Sequence, residues 1–323
     1  MKKRFSLKGL WEVLKDSFSG FSNDKVAKLS ASLAYYTIFS LGPLLICIIF
    51  LCGFFFGREA VQGNIYHQME GFVGSDAAKQ LQDIIKNAAI SNKSSIAAII
   101  GLIALLLGAT SVFAEIQDSV NMIWGLKPKP KMGLLKLLIT RLTSFGVIAS
   151  LGFLLLVSLA ITSLIEALNQ RLQNAFPNVT IVVFYIINLI ITLGVTTLLF
   201  AVIFKVLPDA KIKWKDVMAG SIATAVLFMI GKFAISFYIS KSNVGTTYGT
   251  AGSLIILLLW IYYSSFILYF GAEFTKSYAI KFGSEIHPNE YAVTAQQVQI
   301  ETGKKSIQQS QKVADQVQTK KEA

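Results

Sequence analysis

The chain has 323 residues and carries 30 Lys and Arg against 18 Asp and Glu, a net charge of +12. Only 15% of its residues are charged and 54% are hydrophobic, whereas a soluble domain carries about 25% charged residues. The apolar residues fall in long uninterrupted blocks, which a bilayer span requires and a soluble core does not. The composition therefore excludes an ordinary soluble protein and predicts an all-α integral membrane bundle.

The first predicted element precedes these blocks, in an N-terminal cytoplasmic segment of residues 1–25. The stretch FSLKGLWEVLKDSF, from Phe5 to Phe18, places its large apolar side chains largely on one helical face and its lysines and acids on the other. A helix of this kind lies in the interface between lipid and water. We therefore predict an N-terminal amphipathic interfacial helix.

Six apolar blocks follow, each long enough to cross a hydrocarbon core of about 30 Å at about 1.5 Å per residue. They predict a membrane domain over residues 26–282, followed by a polar, disordered cytoplasmic tail over residues 283–323. Gly42 and Pro43 lie within the first span and predict a hinge there. The six predicted spans lie near residues 30–57, 95–115, 138–165, 179–207, 217–240 and 251–274.

The distribution of basic residues predicts the orientation. The residues before the first span, the second loop, the fourth loop with Lys205 at its edge and the residues after the last span together hold 22 Lys and Arg, and the alternate loops hold 6. Because cytoplasmic segments carry this excess, we expect both termini in the cytoplasm. Basic residues at that surface attract anionic headgroups. We therefore expect membrane lipids as partners, among them an anionic lipid or lipid-linked substrate, and no nucleic acid.

Four charged residues at similar depth predict a gate or a charge network. Glu115, Asp118, Arg141 and Glu273 all lie near the cytoplasmic boundary of their spans. Charges in hydrocarbon usually face the bundle interior or a water-filled cavity. A structural ion-pair network that locks the helix ends and a gate that contacts substrate both fit this pattern.

Lys232 is predicted to lie in the outer part of the bilayer, on one helical face with Ser221 and Ser236. Its side chain either snorkels to the outer headgroups or contacts an anion or lipid phosphate in a cavity. The Gly- and Thr-rich stretch around Tyr248 is typical of a half-unwound helix start at a binding site, and equally of a plain outer loop. Lys232, Tyr248, Ser221 and Ser236 are the candidate substrate contacts.

Catalytic and metal-binding motifs are missing from the sequence. His67 and His287 are its two histidines, and neither has a Cys or His neighbour at metal-ligand spacing. The sequence has no Walker loop, no G-x-S-x-G elbow, no H-E-x-x-H pair and no dinucleotide fingerprint. We therefore expect no catalytic residue, no metal, no cofactor and no enzyme activity.

Four stretches in order carry a family resemblance. They are LAYYTIFSLGPLL (Leu33 to Leu45), FAEIQDSVNMIWG (Phe113 to Gly125), FKVLPDAKIKWKDVMAGSIATAVLF (Phe204 to Phe228) and YGTAGSLIILLLWIYYSSFILYFGAEFT (Tyr248 to Thr275). Over residues 26–283 the chain resembles the YihY / virulence factor BrkB family. The resemblance implies a six-span protein of the bacterial inner membrane, in a family associated with resistance to serum killing and with envelope or lipid A phenotypes.

The resemblance also bears on activity, because the family was formerly labelled ribonuclease BN. That activity belongs to a zinc metallohydrolase with clustered histidines and aspartates, which two isolated histidines cannot supply. The resemblance favours a transporter or flippase-like protein for an amphipathic anion, such as a lipid or an envelope component. The alternative is a non-transporting membrane scaffold for envelope enzymes. A transporter requires a polar cavity continuous to one side, whereas a scaffold can have a dry bundle.

Overall fold

A computed structural model describes residues 6–40, 95–129, 138–154, 157, 177–241, 252–290 and 292–294. Within these ranges the chain is mostly helical, with short strands after three of the helices. The elements in chain order are α1 (Leu7–Asn23), α2 (26–40), α3 (Ser95–Ile123), β1 (Leu126–Pro128), α4 (Leu138–Leu154), α5 (Pro177–Val206), β2 (Ala210–Lys211), α6 (Trp214–Lys241), α7 (Gly252–Phe282), β3 (His287–Pro288) and β4 (Ala292–Thr294).

Three helices in the described part of the chain are long and apolar enough to cross a membrane. Their apolar stretches are Leu189–Val206 in α5, Trp214–Ile235 in α6 and Leu254–Phe282 in α7. Between 28% and 33% of each stretch is buried inside the protein. Most of their apolar surface therefore faces outward, as it does on helices surrounded by lipid. The chain is a mostly helical membrane protein.

The other described helices coincide with predicted segments. α2, α3 and α4 overlap the first, second and third predicted spans, and α3 continues beyond the predicted span to Ile123. α7 likewise extends eight residues beyond the predicted end of the sixth span. The number of six spans stays a prediction, and the predicted hinge at Gly42 and Pro43 lies outside the described residues.

The helix α1 packs against α7 with a face of small residues. Gly9, Val13 and Ser17 are buried, while Leu7 and Trp11 are 81% and 70% exposed. Small side chains allow two helices to approach closely, and the large apolar side chains stay on the surface of the protein. Their insertion into the membrane interface stays a prediction.

The contacts along α1 set its direction relative to α7. Gly9 lies against the ring of Phe282, and Gly20 lies against the carboxyl group of Glu273. The ring of Phe18 lies 4.9 Å from that of Phe270. Because the order of contacts is reversed between the two helices, α1 runs antiparallel to α7 along the second half of α7.

A reciprocal contact of glycine and threonine joins α6 and α7. Thr275 of α7 lies against Gly220 of α6, and Thr224 of α6 lies against Gly271 of α7. Each threonine hydroxyl donates to the backbone carbonyl one turn earlier in its own helix, at 2.7 Å. Both threonine hydroxyl groups are therefore paired where the two backbones meet. The two helices can approach closely because neither glycine carries a Cβ atom.

Two short antiparallel ladders close one end of the bundle. β1 pairs with β4, with Leu126 opposite Thr294, and β2 pairs with β3, with Ala210 opposite Pro288. Because β1 follows α3, β2 follows α5 and both partners follow α7, the segment after α7 connects the ends of α3 and α5. We call this end the junction: the last turns of α3, α5 and α7, the first turn of α6, and strands β1 to β4.

The prediction of a disordered tail from residue 283 is wrong for its first part, since residues 287–288 and 292–294 form β3 and β4. The composition indicated disorder because this stretch has few large apolar side chains. Backbone groups make the ladders, however, and Ala292 is buried against the bundle with 3% exposure. The remainder of the predicted tail, residues 295–323, lies outside the described residues.

Asp209 lies at the centre of the junction, between α5 and β2, and is 1% exposed. Its carboxylate accepts hydrogen bonds from the side-chain amides of Gln117 at 2.7 Å and Asn121 at 2.9 Å, one turn apart on α3. Its backbone N–H donates to Oδ1 of Asn121 at 2.8 Å, and its carbonyl accepts the N–H of Asn289 at 2.9 Å. One residue thus joins α3, the α5–α6 connection and the segment after α7.

The reciprocal contact predicts the effect of one added methyl group. Gly271→Ala should lower the unfolding temperature in detergent, because the new Cβ collides with Thr224; overpacking of this kind costs about 1–3 kcal/mol. Gly194→Ala on α5 is the matched control, since a Cβ there meets nothing within 4 Å and alanine favours a helix by about 1 kcal/mol over glycine. Similar unfolding temperatures for both variants would contradict the close contact.

The junction predicts a large loss of stability for Asp209→Ala. The change leaves the amides of Gln117 and Asn121 buried without their acceptor, at about 1–3 kcal/mol for each group. Chemical unfolding should show a loss of about 3 kcal/mol or more, and the loss should not add to that of Asn121→Ala, because the two share hydrogen bonds. Glu290→Ala, at an exposed position, is the control without effect. Additive losses would show that Asp209 acts independently of Asn121.

Candidate functional site

Charged side chains from α7 and from the turn after α1 converge on Lys276, near the end of α3. Its Nζ lies 3.6 Å from Oδ2 of Asp24 and 3.6 Å from Oε2 of Glu273, and it donates a hydrogen bond to the carbonyl of Ile123. The helix α3 ends there because Gly125 has a φ of 67°, the left-handed conformation that terminates helices. A cation at a helix C terminus stabilises its carbonyl groups. Lys276 thus connects the turn after α1, the end of α3 and α7.

Glu273 is the most deeply buried acid of this cluster, with 1% exposure. Its Oε2 faces Lys276, while Oε1 accepts no hydrogen bond from a donor among the described residues. The carboxyl group of Asp24 lies within hydrogen-bonding reach of the Glu273 carboxyl group. Gly20 of α1 covers the carboxyl group so closely that a Cβ at this position would lie 2.5 Å from Oε2. Buried polar atoms are nearly always paired. The vacant acceptor on Glu273 therefore marks this group as a functional candidate.

A polar cleft of about 590 Å³ lies between α1 and α7, beside Glu273. Asp16 of α1 and Lys276 of α7 line it together with Glu273. Lys281, which also lines the cleft, forms an ion pair with Glu12 of α1. The cleft therefore brings acidic and basic groups from both helices to one polar space that leads to the buried carboxyl group.

A second cavity, of about 300 Å³, lies between α2, α3, α5, α6 and α7 and is almost entirely apolar. The few polar groups in its wall are hydroxyls, among them Thr37, Thr196 and Ser264. The Oγ of Ser264 has no hydrogen-bond partner among the described residues. Ligand pockets of about 300–1,000 Å³ usually combine an apolar wall with a few polar groups. Its main apolar wall residues are Leu33, Ile116, Phe200, Phe228, Trp260 and Leu268.

Sequence reasoning did not find this cavity, because its wall comes from five helices that are far apart in the chain. Each lining residue is ordinary for its own span. The signal that the sequence does contain is the set of serines and threonines inside apolar segments, such as Ser264 and Ser265. Their helical faces cannot be assigned to one cavity without knowledge of which helices are neighbours.

Arg141, predicted as a member of the inner charge network, makes its described contacts with α3. Its guanidinium group donates to Oγ1 of Thr110 at 3.0 Å, and its contact with the carbonyl of Leu107 is 3.5 Å long. Arg141 therefore connects α4 with α3 by hydrogen bonds to neutral groups. Its part in a gate stays a prediction.

The predicted acids of α3 lie near α7. Glu115 and Asp118 are electrostatic neighbours of the Tyr269 hydroxyl group, and Tyr269 lies one turn before Glu273 on the same helix. Glu115 and Asp118 of α3 thus lie near the stretch of α7 that carries Glu273. The cation that pairs with Glu273 among the described residues is Lys276, on the same helix. The sequence analysis counted Lys276 among the basic residues after the last span.

The predicted substrate contacts on α6 have different surroundings. Ser221 is completely buried, and its hydroxyl group has no hydrogen-bond partner among the described residues. The side chain of Lys232 is exposed, about 16 Å further along the helix axis by the rise of an α-helix. Ser236 lies on the same helix, but its side chain is outside the described part of the structure, as is Tyr248. Their roles as substrate contacts stay predictions.

Side chains that could bind a metal ion do not cluster among the described residues. No group of three or more His, Cys, Asp and Glu side chains in that part of the chain is arranged to hold a metal ion.

Comparisons with known proteins reach the same family as the sequence motifs. The chain is 27% identical to the ribonuclease-like protein YfkH of Bacillus subtilis, over 80% of this chain and 92% of that protein. It is 27% identical to a UPF0761 membrane protein of Rhodospirillum centenum, over 82% of this chain and 57% of that protein, and 24% identical to one of Alteromonas mediterranea, over 82% and 88%. The chain thus spans little more than half the length of some relatives. No solved structure matches it.

The family model for virulence factor BrkB matches residues 17–293. This range contains helices α2 to α7, the glycine and threonine contact between α6 and α7, and Asp209 with its hydrogen-bond partners. It therefore confirms the resemblance carried by the four sequence motifs. The chain belongs to the virulence factor BrkB family of membrane proteins.

Proposed function

We propose that this protein is a multi-pass transporter of the bacterial inner membrane, of flippase type, that moves an amphipathic anion and has no enzyme activity. The substrate class is a lipid or a lipid-linked envelope component. The observation that carries the proposal is the apolar cavity of about 300 Å³ between five helices. Ligand pockets of this size usually have an apolar wall with a few polar groups, so this cavity supports a site for an apolar part of a ligand.

The charged groups supply the polar part of the proposed site. An anionic headgroup requires a cation or a hydrogen-bond donor, and Lys232 and Tyr248 are the proposed contacts on the outer side. Glu115, Asp118, Arg141 and Glu273 form the proposed inner gate. The polar cleft beside Glu273 supports this assignment, because it gives this acid of the proposed gate a polar space.

The proposal includes a topology of six spans with both termini in the cytoplasm. The split of 22 against 6 Lys and Arg between alternate segments supports it. The junction then faces the cytoplasm, because the second loop, the fourth loop and the tail all belong to the basic set. The polar cleft between α1 and α7 consequently opens toward the cytoplasm.

Reporter fusions test the topology. Fusions after Lys131 and Lys213 should be active as cytoplasmic reporters, and fusions after Arg171 and Lys241 as external reporters, because the positive charges favour retention on the cytoplasmic side. An inverted result for any of these pairs would contradict the six-span arrangement.

A cavity-filling variant tests the transport proposal. In liposomes that contain purified protein and fluorescent phosphatidylglycerol, wild-type protein should move the label between leaflets. Ser264→Phe should reduce the rate at least about tenfold, equivalent to about 1.4 kcal/mol, because its ring occupies the cavity.

Ile230→Phe is the matched control, since it adds a ring at a position that is 62% exposed, and it should keep the wild-type rate. If wild-type liposomes move no more label than protein-free liposomes, transport of this lipid class is wrong and the scaffold alternative is favoured. If Ser264→Phe is as fast as the wild type, the cavity is not part of the path.

A further inference from the structure

The polar cleft between α1 and α7 ends at a buried carboxyl group whose chemistry goes beyond the proposed gate. Two carboxyl groups, those of Asp24 and Glu273, share the single ammonium group of Lys276, each at 3.6 Å. The nearby Lys281 forms its own ion pair with Glu12. With both carboxyl groups ionised, the cluster of Asp24, Glu273 and Lys276 holds one negative charge in excess. An uncompensated charge is costly away from water.

The groups around Glu273 on the neighbouring elements are mainly acidic. Asp16 lines the cleft from α1, and Asp24 follows α1. Glu115 and Asp118 of α3 lie around Tyr269, one turn from Glu273 on α7.

The cations in this region are already engaged or exposed. Lys276 and Lys281 of α7 are paired as described, and Lys25 and Lys28, which follow α1, are exposed. The local charge around Glu273 therefore favours the uptake of one more positive charge.

The ligand that fits this position is a proton. Lys276 already lies 3.6 Å from each of the two carboxyl groups, whereas a proton needs a single oxygen atom. Oε1 of Glu273 is such an atom, because it is buried and accepts no hydrogen bond from a donor among the described residues. The neighbouring carboxyl group of Asp24 lies within hydrogen-bonding reach of Glu273 and can share the proton. The cleft of about 590 Å³ that Glu273 lines provides a path for water.

We propose that Glu273 is a proton-binding site that exchanges protons with the cytoplasmic side through the cleft between α1 and α7. A hydronium ion in the cleft transfers its proton to Oε1. An O–H bond forms on Glu273, an O–H bond of hydronium breaks, and a water molecule remains. Release reverses these steps. The neutral acid then lies beside the ion pair of Lys276 and Asp24, and the cluster has no net charge.

Infrared spectroscopy of the full chain in lipid nanodiscs tests this site directly. Over a titration from about pH 5 to pH 9, where ordinary carboxyl groups are mostly ionised, the wild type should show the C=O band of a neutral carboxyl group that disappears as the pH rises. The band should be lost in Glu273→Gln. It should persist in Glu285→Gln, a control at an exposed carboxyl group beyond the end of α7.

Two further variants keep the test decisive if Glu273→Gln does not fold. Glu273→Asp should retain a titrating band, because it keeps the carboxyl group. Lys276→Gln should move the disappearance of the band to higher pH, because the proton then becomes the main positive charge of the cluster.

The site is wrong if the wild type shows no such band, if the band survives in Glu273→Gln, or if Lys276→Gln leaves its titration unchanged. The measurement contains no transport substrate. Its failure therefore leaves the transport proposal intact, and a failure of lipid transport leaves the proton site intact.

Discussion

The hydrogen bonds of Asp209 are the constraint on which the rest of the described structure depends. They hold Gln117 and Asn121 of α3 against the α5–α6 connection, and the backbone of Asp209 also binds the segment after α7. The end of α3 fixed in this way contacts α7: the indole of Trp124 donates to the carbonyl of Ala272 at 3.1 Å. One residue further back, α3 presents its last carbonyl to Lys276. The position of Lys276, and hence the environment of Glu273, follows from a buried carboxylate elsewhere in the junction.

The helices make two kinds of contact: close contacts at small residues and wider contacts between aromatic rings. Apolar helices in lipid gain little from the hydrophobic effect when they associate, so their association depends on close packing. Such close packing occurs between α6 and α7, where glycine meets threonine. Toward the apolar cavity the contacts change to rings. Phe228 lies 5.8 Å from both Phe200 and Trp260, measured between ring centroids. Rings of this size hold neighbouring helices apart, and the cavity lies beside them.

The two candidate sites occupy successive levels of α7. The wall of the apolar cavity extends along this helix to Leu268, and the polar cleft begins at Glu273, about 7.5 Å further along the axis. A single helix thus contributes to an apolar space and then to a polar one. This order matches an amphipathic ligand whose chain and headgroup need different surroundings, which supports the proposed transport. A carboxyl group at the boundary between the levels also suits the proposed proton exchange.

The sequence by itself determined the helices and the acid of interest. Apolar blocks are local features, so α3, α5 and α6 agree closely with the predicted segments, and Glu273 attracts notice because a charge in a span is costly. Only the tertiary structure decided the partners. Asp209 meets residues 88 and 92 positions away, Lys276 rather than Arg141 pairs with Glu273, and β3 and β4 form within a predicted tail. Side-chain periodicity shows which face of a helix is apolar, but it does not show which helices are neighbours. The cavity, the cleft and the junction all depend on which helices are neighbours.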